Sequence, residues 1–456
     1  MPSQHRPRRI LTLLAGITLC LSLLVAGAVV PAGAHETGRV GILIADHGEP
    51  VEFNERTYGS FRTFLEHLIE LGTIPRAVLF AETGTILQDR HCYACPAPSP
   101  NPELVDGWGR PFTGEAAFVP ADARTRTPAH YRSSTGPGVG EPDFYEHAGH
   151  STRIEWAAMA NHSPNYEQTL RQKEAVIRRL RDRYNRANPA IRVGYHINPH
   201  VDGSLSIAEA VRQLVQEDHV GHIVVAYHGV GFSDIMQTHM IRHEIHEELE
   251  ALGSHVPLTH ADPMWKSDWY IKSVVEKLRA ELDKLPGRAK VAVHLSAHGL
   301  ALTNCGTYDC RNDGYHEFAS GLFAATKAAI EKEVRWSGQI GVFHLYGEGA
   351  DPARDPDNLV DSPTEALAKR KAAGYQYVID IPYGFRADSR DTLIVLRRSY
   401  GLTPPDWDAA YETRFVRDGL PVKITNSSFG VEHKIRAFEE VIRRALDPVL
   451  GVAGSH

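Results

Sequence analysis

The feature that most constrains this chain is a short apolar run that stops abruptly at a histidine. From Val291 to Cys310 the sequence reads VAVHLSAHGLALTNCGTYDC, and the run ends in Ser296-Ala297-His298-Gly299. A continuous β-branched and apolar stretch bounded by glycine reads as a strand buried on both faces, the kind found in parallel sheets covered by helices. In such sheets, groups just beyond the carboxyl ends of strands line the ligand crevice. His298 is therefore the first candidate for chemistry. A second stretch, Tyr377 to Leu393 (YVIDIPYGFRADSRDTL), has the same form: a buried strand ends in Pro-Tyr-Gly-Phe and opens a helix bearing Asp388 and Asp391.

The pattern recurs along the chain. Val40 to Ala45 is an apolar strand running into Asp46-His47-Gly48-Glu49-Pro50, and His222 to Tyr227 is another ending in His228-Gly229. A helical pattern spans Tyr58 to Leu71, with Phe61, Phe64, Leu65, Leu68 and Ile69 on one face. A charged helix is expected over Asn165 to Arg186, a strand over Ile191 to Ile197 and an amphipathic helix over Leu205 to Gln216. Strand and helix alternate again in the second half. Helices are expected over Trp265 to Leu282, His316 to Val334 and Pro363 to Ala373. Strands are expected over Lys290 to Leu295, Gln339 to Leu345 and Tyr375 to Ile381, with an amphipathic helix over Val431 to Leu446 closing the chain. Alternation of this kind spells parallel sheets with helices on both faces. The expected fold is thus α/β, with two similar Rossmann-like lobes over residues 35–252 and 253–456 and a cleft between them. Residues 72–163, rich in Pro, Gly, Thr and Arg, are too long for a connection and read as an insertion, either a lid or a surface loop.

Residues 1–34 combine a basic start (HRPRR), the apolar run Ile10 to Val30 and Ala32-Gly33-Ala34, the pattern of a cleavable export signal; retained, the run could anchor the chain in a membrane. This segment has Arg6, Arg8 and Arg9 and no acid, so the net charge of −7 becomes 46 basic against 56 acidic residues, or −10, afterwards. That balance argues against nucleic acid as a partner. Setting Cys20 aside, four cysteines remain as two close pairs, Cys92 with Cys95 and Cys305 with Cys310. Outside the cytoplasm this spacing favours disulfides over a zinc or iron-sulfur site. A helix from Met236 to Leu252 carries His239, His243 and Glu247 every four residues and His246 besides, either as a metal face or as solvated residues; the spacing is not the H-E-x-x-H of a zinc helix.

Four blocks, taken in order, make the chain resemble a class II chelatase, closest to the ferrochelatase family. They are Val40 to Pro50, Arg192 to Ser233, the LSAHGL of Leu295 to Leu300, and the IPYGFRADSRDTL of Ile381 to Leu393. The resemblance implies two chelatase-type lobes and ATP-independent insertion of a divalent metal, iron first and cobalt or zinc as alternatives, into a tetrapyrrole, a lyase reaction of haem biosynthesis. By this resemblance His298 takes the place of the metal-site histidine and Asp391 that of the family's glutamate, with His47 as a further metal contact. Tyr383, Phe385, His228 and Asp388 would contact the substrate. Ser389 stands where the family often has a histidine, and Gly299-Leu300-Ala301 where it has Ser-Leu-Pro. The residue types suit the chemistry. Two pyrrole N–H protons must leave while the metal sheds water, which calls for a base and a carboxylate near one ring face. A different class remains open: an exported protein on a chelatase fold that binds a metal or haem without turnover.

Overall fold

In the computed structural model the described residues are 39–49, 159, 162–196, 204–231, 241–297, 313–346, 363–402 and 412–452. The N-terminal signal pattern, the 58–71 helix, nearly all of the 72–163 insertion, His239, His298 and all five cysteines lie outside them. No helix among the described residues is long and apolar enough to cross a membrane.

The first sheet is built on β1 (Arg39–Asp46), whose residues beyond Arg39 are all buried. Its alternate side chains enter different cores: Val40, Ile42 and Ile44 on one face, Leu43 and Ala45 on the other. On one side of β1 lie β2 (Ala190–Tyr195) and the two-residue β3 (Leu205–Ser206). On the other lie β4 (Val220–Tyr227) and β5 (Leu258–His260), and every pairing is parallel. Helix α1 (Asn165–Arg183) packs Val176 and Leu180 onto the first face. The second face is covered by α2 (Ile207–Arg212), which continues as a wide π-type turn to Glu217, and by α3 (His243–Ala251). A capping box starts α2: the Ser206 hydroxyl accepts from Glu209 N–H and the Glu209 carboxylate accepts from Ser206 N–H.

The second sheet runs β7-β6-β8-β10-β9, with β6 (Lys290–Ala297), β7 (Gln339–Tyr346), β8 (Tyr377–Ile381), β9 (Thr413–Arg417) and β10 (Leu420–Ile424). Helices α4 (Asp268–Leu282) and α5 (Asp313–Glu333) cover one face; α6 (Pro363–Ala372) and α7 (Leu396–Ser399) cover the other. The α/β architecture of two helix-covered sheets is as expected, with one refinement: β9 pairs antiparallel with β10, so the second sheet is not wholly parallel. The cause is local. Asp418 and Gly419 both adopt positive φ (53° and 80°), the two-residue turn whose twist matches a hairpin.

The final helix, α8 (Val431–Val449), follows the second sheet in sequence yet lies against the first. Arg179 of α1 holds its Glu432 (2.7 Å) and Glu439 (3.3 Å), and Tyr184 donates to Asp447. Its Phe438, Val441 and Ile442 belong to a single apolar cluster that includes β1, β4, α1, α4, α5, β6 and β8. β5 and α8 both come after residue 252, so the two halves are interleaved in space.

Candidate functional site at the junction of the strand ends

Each sheet has a place where successive strands run off in opposite directions: between β1 and β4 in the first sheet, and between β6 and β8 in the second. Crevices for ligands form outside the carboxyl ends of strands at such positions. Here residues from the two strand-end regions meet, Arg386 after β8 reaching Asp46 at the end of β1. The last residue of β1, Asp46, is fully buried and accepts from Lys173 Nζ of α1 (2.6 Å), from Gly48 N–H (3.1 Å) and from Arg386 Nη2 (2.5 Å), which reaches over from the loop after β8. His228, just past β4, places Nδ1 3.1 Å from the same carboxylate. Burial alone would raise the Asp46 pKa, but the Arg386 and Lys173 charges beside it hold it well below the carboxylate range. Burial lowers Lys173 to about 8 and His228 to about 3. His228 is thus neutral, donates from Nδ1 to Asp46, and lays its ring against Phe438 at 4.7 Å.

The loop after β8 is held chiefly by its backbone. Tyr270 donates to Tyr383 O (2.6 Å), Gln172 to Arg386 O (3.2 Å), and buried Lys434 of α8 to the carbonyls of Phe385 (3.3 Å), Arg386 (3.2 Å) and Ser427. Gly384 passes so close to β6 that a Cβ there would stand 2.8 Å from Ala297 Cα. Its N–H donates to Ser296 O at 3.1 Å. This loop is therefore seated directly on the end of the strand that leads to His298.

Along this seam lie His47, Glu49 and Asp391. His47 is half-buried, with Nδ1 2.9 Å from Gly48 O; burial lowers its pKa to about 4, so its ring is neutral at ordinary pH, the form that can ligate a metal ion. The Glu49 carboxylate accepts from Ser163 Oγ (2.8 Å) and from Arg390 N–H (3.0 Å). Burial and the neighbouring Asp391 raise its pKa to about 7. Asp391 opens a π-type turn (Asp391–Val395) that leads into α7, and its Oδ1 is 3.0 Å from Arg390 Nη2. The Glu49 carboxyl, in the loop after β1, thus feels the charge of Asp391, which opens the turn after β8, and titrates near neutrality.

The expected site residues separate into distinct groups. His47 and Asp391 lie at the seam; His298 lies outside the described residues, one position past the end of β6. Phe385 is half-buried beside the seam. His228 sits at the strand end expected of it, but its carboxylate contact and burial place it in the ion-pair network. Tyr383 and Asp388, expected to touch substrate, are both fully buried. The Tyr383 ring packs in the core edge-on to His344, and Asp388 spends its oxygens on Ser427 N–H (2.7 Å), Ser427 Oγ (2.9 Å) and Gln168 Nε2 (3.3 Å). Both side chains are packed within the protein, and Asp388 ties the loop after β8 to Ser427 and Gln168. On α3, His243 pairs with Glu247 at 3.0 Å as an exposed i,i+4 contact. Among the described residues, no three His, Cys, Asp or Glu side chains converge to hold a metal ion.

Reading of the sequence alone missed Lys173, Arg386 and Glu49 as members of this arrangement, and Asp46 as its hub. Glu49 had a visible signal, an acid in the loop directly after a buried strand. Lys173 had none, because in sequence it is one more charge on a charged helix.

No family model and no curated protein matches the sequence. Among solved structures, the chain is similar to the sirohydrochlorin chelatase SirB from Bacillus subtilis subspecies spizizenii in complex with cobalt, at 11% identity over 61% of this chain and 90% of that one, TM-score 0.37. It is similar to SirB from Bacillus subtilis with Fe3+ at 12% identity, over 57% of this chain and 84% of that one, TM-score 0.37. A glucose-galactose binding protein from Geobacillus stearothermophilus is similar at 10% identity over 62% of this chain and 88% of that one, TM-score 0.26.

Proposed function

We propose that this chain inserts a divalent metal ion into a tetrapyrrole without ATP, at the seam between its two sheets. The observation that carries the reading is Glu49, a buried carboxyl raised to a pKa of about 7 by burial and the nearby Asp391 charge, two residues along the chain from the neutral His47. Metalation must remove two N–H protons from the ring as the ion enters. A carboxyl titrating near pH 7 can take a proton and release it again within one turnover. Asp391, with Arg390 beside it, is the second acceptor, and His47 offers a neutral nitrogen to an incoming ion. His298 is assigned as metal ligand or base on the block resemblance at Leu295 to Leu300. Iron is the first substrate ion to test, with cobalt and zinc beside it; on the pattern of residues 1–34 the activity would be exported.

The test mixes the purified protein with a free-base tetrapyrrole and Fe2+, Co2+ or Zn2+ under anaerobic conditions and follows the visible spectrum. Metalation at least about tenfold faster than the protein-free control, and reduced about 10²-fold or more in Asp391→Asn and His298→Ala, is expected from the loss of general acid-base groups. A spectral shift on mixing without any turnover would replace the enzyme by a tetrapyrrole-binding protein. No response to any tetrapyrrole or metal would remove both.

A further inference from the structure

Beneath the seam, on the opposite face of the second sheet, the core contains a polar chain that the reaction does not use directly. Asp380, near the end of β8, is fully buried, and its Oδ2 accepts from Ser296 Oγ (2.8 Å) and from the Tyr400 hydroxyl. That hydroxyl is 2.9 Å from His294 Nδ1 on β6. Tyr400 has one proton and gives it to Asp380, so His294 donates from Nδ1 and keeps a bare Nε2. Burial, with Arg370 nearby, lowers the His294 pKa to about 3, in keeping with a neutral ring. Burial raises Asp380 to about 7 against the hydrogen bonds of Tyr400 and Ser296 and the nearby charge of Arg397. His294 Nε2 and Asp380 Oδ1 have no partner among the described residues.

Such a chain is a costly way to fill a core. Leu345, Val378, Leu396 and Leu420 pack around it, and apolar side chains of the same shape would avoid the desolvation of two titratable groups. What a hydrogen-bond chain adds over apolar packing is direction. Tyr400 directly follows α7, whose first turn continues from the π-type turn that begins at Asp391. Between them Ile394 and Leu396 are buried, and the buried Arg397 guanidinium bonds Thr392 O and Thr413 Oγ1 (2.6 Å). Arg417 Nη2 holds Tyr400 O at 2.6 Å. The segment 391–400 is therefore tied at its far end to β6 and β8 through Tyr400. π-type turns of this kind often mark functional positions.

We propose that Asp380 and Tyr400 are positioning residues for Asp391: their hydrogen bond fixes the rotation of the turn and helix that present Asp391 at the seam. This rests on the reading of Asp391 as a proton acceptor in metalation. Hydrogen–deuterium exchange and metalation kinetics on the full chain test it, in Tyr400→Phe, which keeps the ring, and in Asp380→Asn, which keeps the shape. Loss of a buried hydrogen bond to a charged group should raise exchange in peptides spanning 391–400 about tenfold, with peptides spanning 431–449 unchanged. kcat should fall about tenfold with KM for the tetrapyrrole within about twofold, the split expected when only transition-state geometry is lost. If either variant fails to fold, Ser296→Ala, which removes a single donor to Asp380, should show the same pattern at smaller size. Unchanged exchange at 391–400, an equal rise at 431–449, or an unchanged kcat in a metalating enzyme would overturn the proposal. If the wild type does not metalate, the functional reading fails while the exchange data still decide the positioning.

Discussion

At the scale of single residues, the molecule turns on which buried charges are matched. Asp46 and Lys173 are both buried, and Arg386 joins them from the other sheet. Asp46→Asn would leave two cations without their carboxylate and is expected to lower stability by about 3–5 kcal/mol, read from denaturant midpoints. Glu49 behaves in the opposite sense. Its folded pKa, about 7, lies above its ordinary 4.5, so the folded chain keeps a proton that the unfolded chain has released. Its contribution is most favourable below about 4.5 and declines as pH rises to about 7. Comparing urea midpoints at pH 5 and pH 8, the wild type should lose more stability on the upward step than Glu49→Gln. An equal loss in both would show that this carboxyl is not strained by its surroundings.

At the scale of elements, the loop after β8 is the piece whose fit is tightest. Gly384 has backbone and Cβ of Ala297 within 2.8 Å of where its own Cβ would stand. Gly384→Ala should therefore push the loop off the end of β6, costing about 1–3 kcal/mol by overpacking and lowering metalation, with both changes measurable on the same preparation. Much of this level was legible beforehand. The apolar runs of β1, β4, β6 and β8 and the apolar periodicity of α4 and α8 identified those elements to within a few residues, because burial on known faces leaves a periodic trace. β3 and β5 left none, being two and three residues long. The β9–β10 hairpin had a usable signal in Asp418-Gly419 between alternating residues, a turn type that requires positive φ.

At the scale of the whole molecule, α8 joins what the sequence separates. Phe438 packs on His228 and sits in the cluster shared by both sheets. Phe438→Ala is expected to cost about 3–5 kcal/mol. Because the apolar cluster is continuous, the loss should appear in one cooperative transition seen alike by far-ultraviolet dichroism and by tryptophan fluorescence. Two separate transitions would mean that the sheets unfold independently.

What the sequence by itself determined is the α/β class and the position of polar groups at strand ends: His47 after β1, His228 after β4, and Asp391 after β8. These are local matters, set by hydrophobic period and by where each apolar run stops. Only the tertiary structure decided what those groups do. It enclosed His228 against Asp46, turned Tyr383 and Asp388 into the interior, and brought the Asp391 charge near enough to raise the Glu49 pKa. It also drew Lys173 and Arg386, far apart in sequence, onto one carboxylate. Burial and charge pairing depend on which distant segments close over a residue, and a pattern read along one strand or helix contains no record of them.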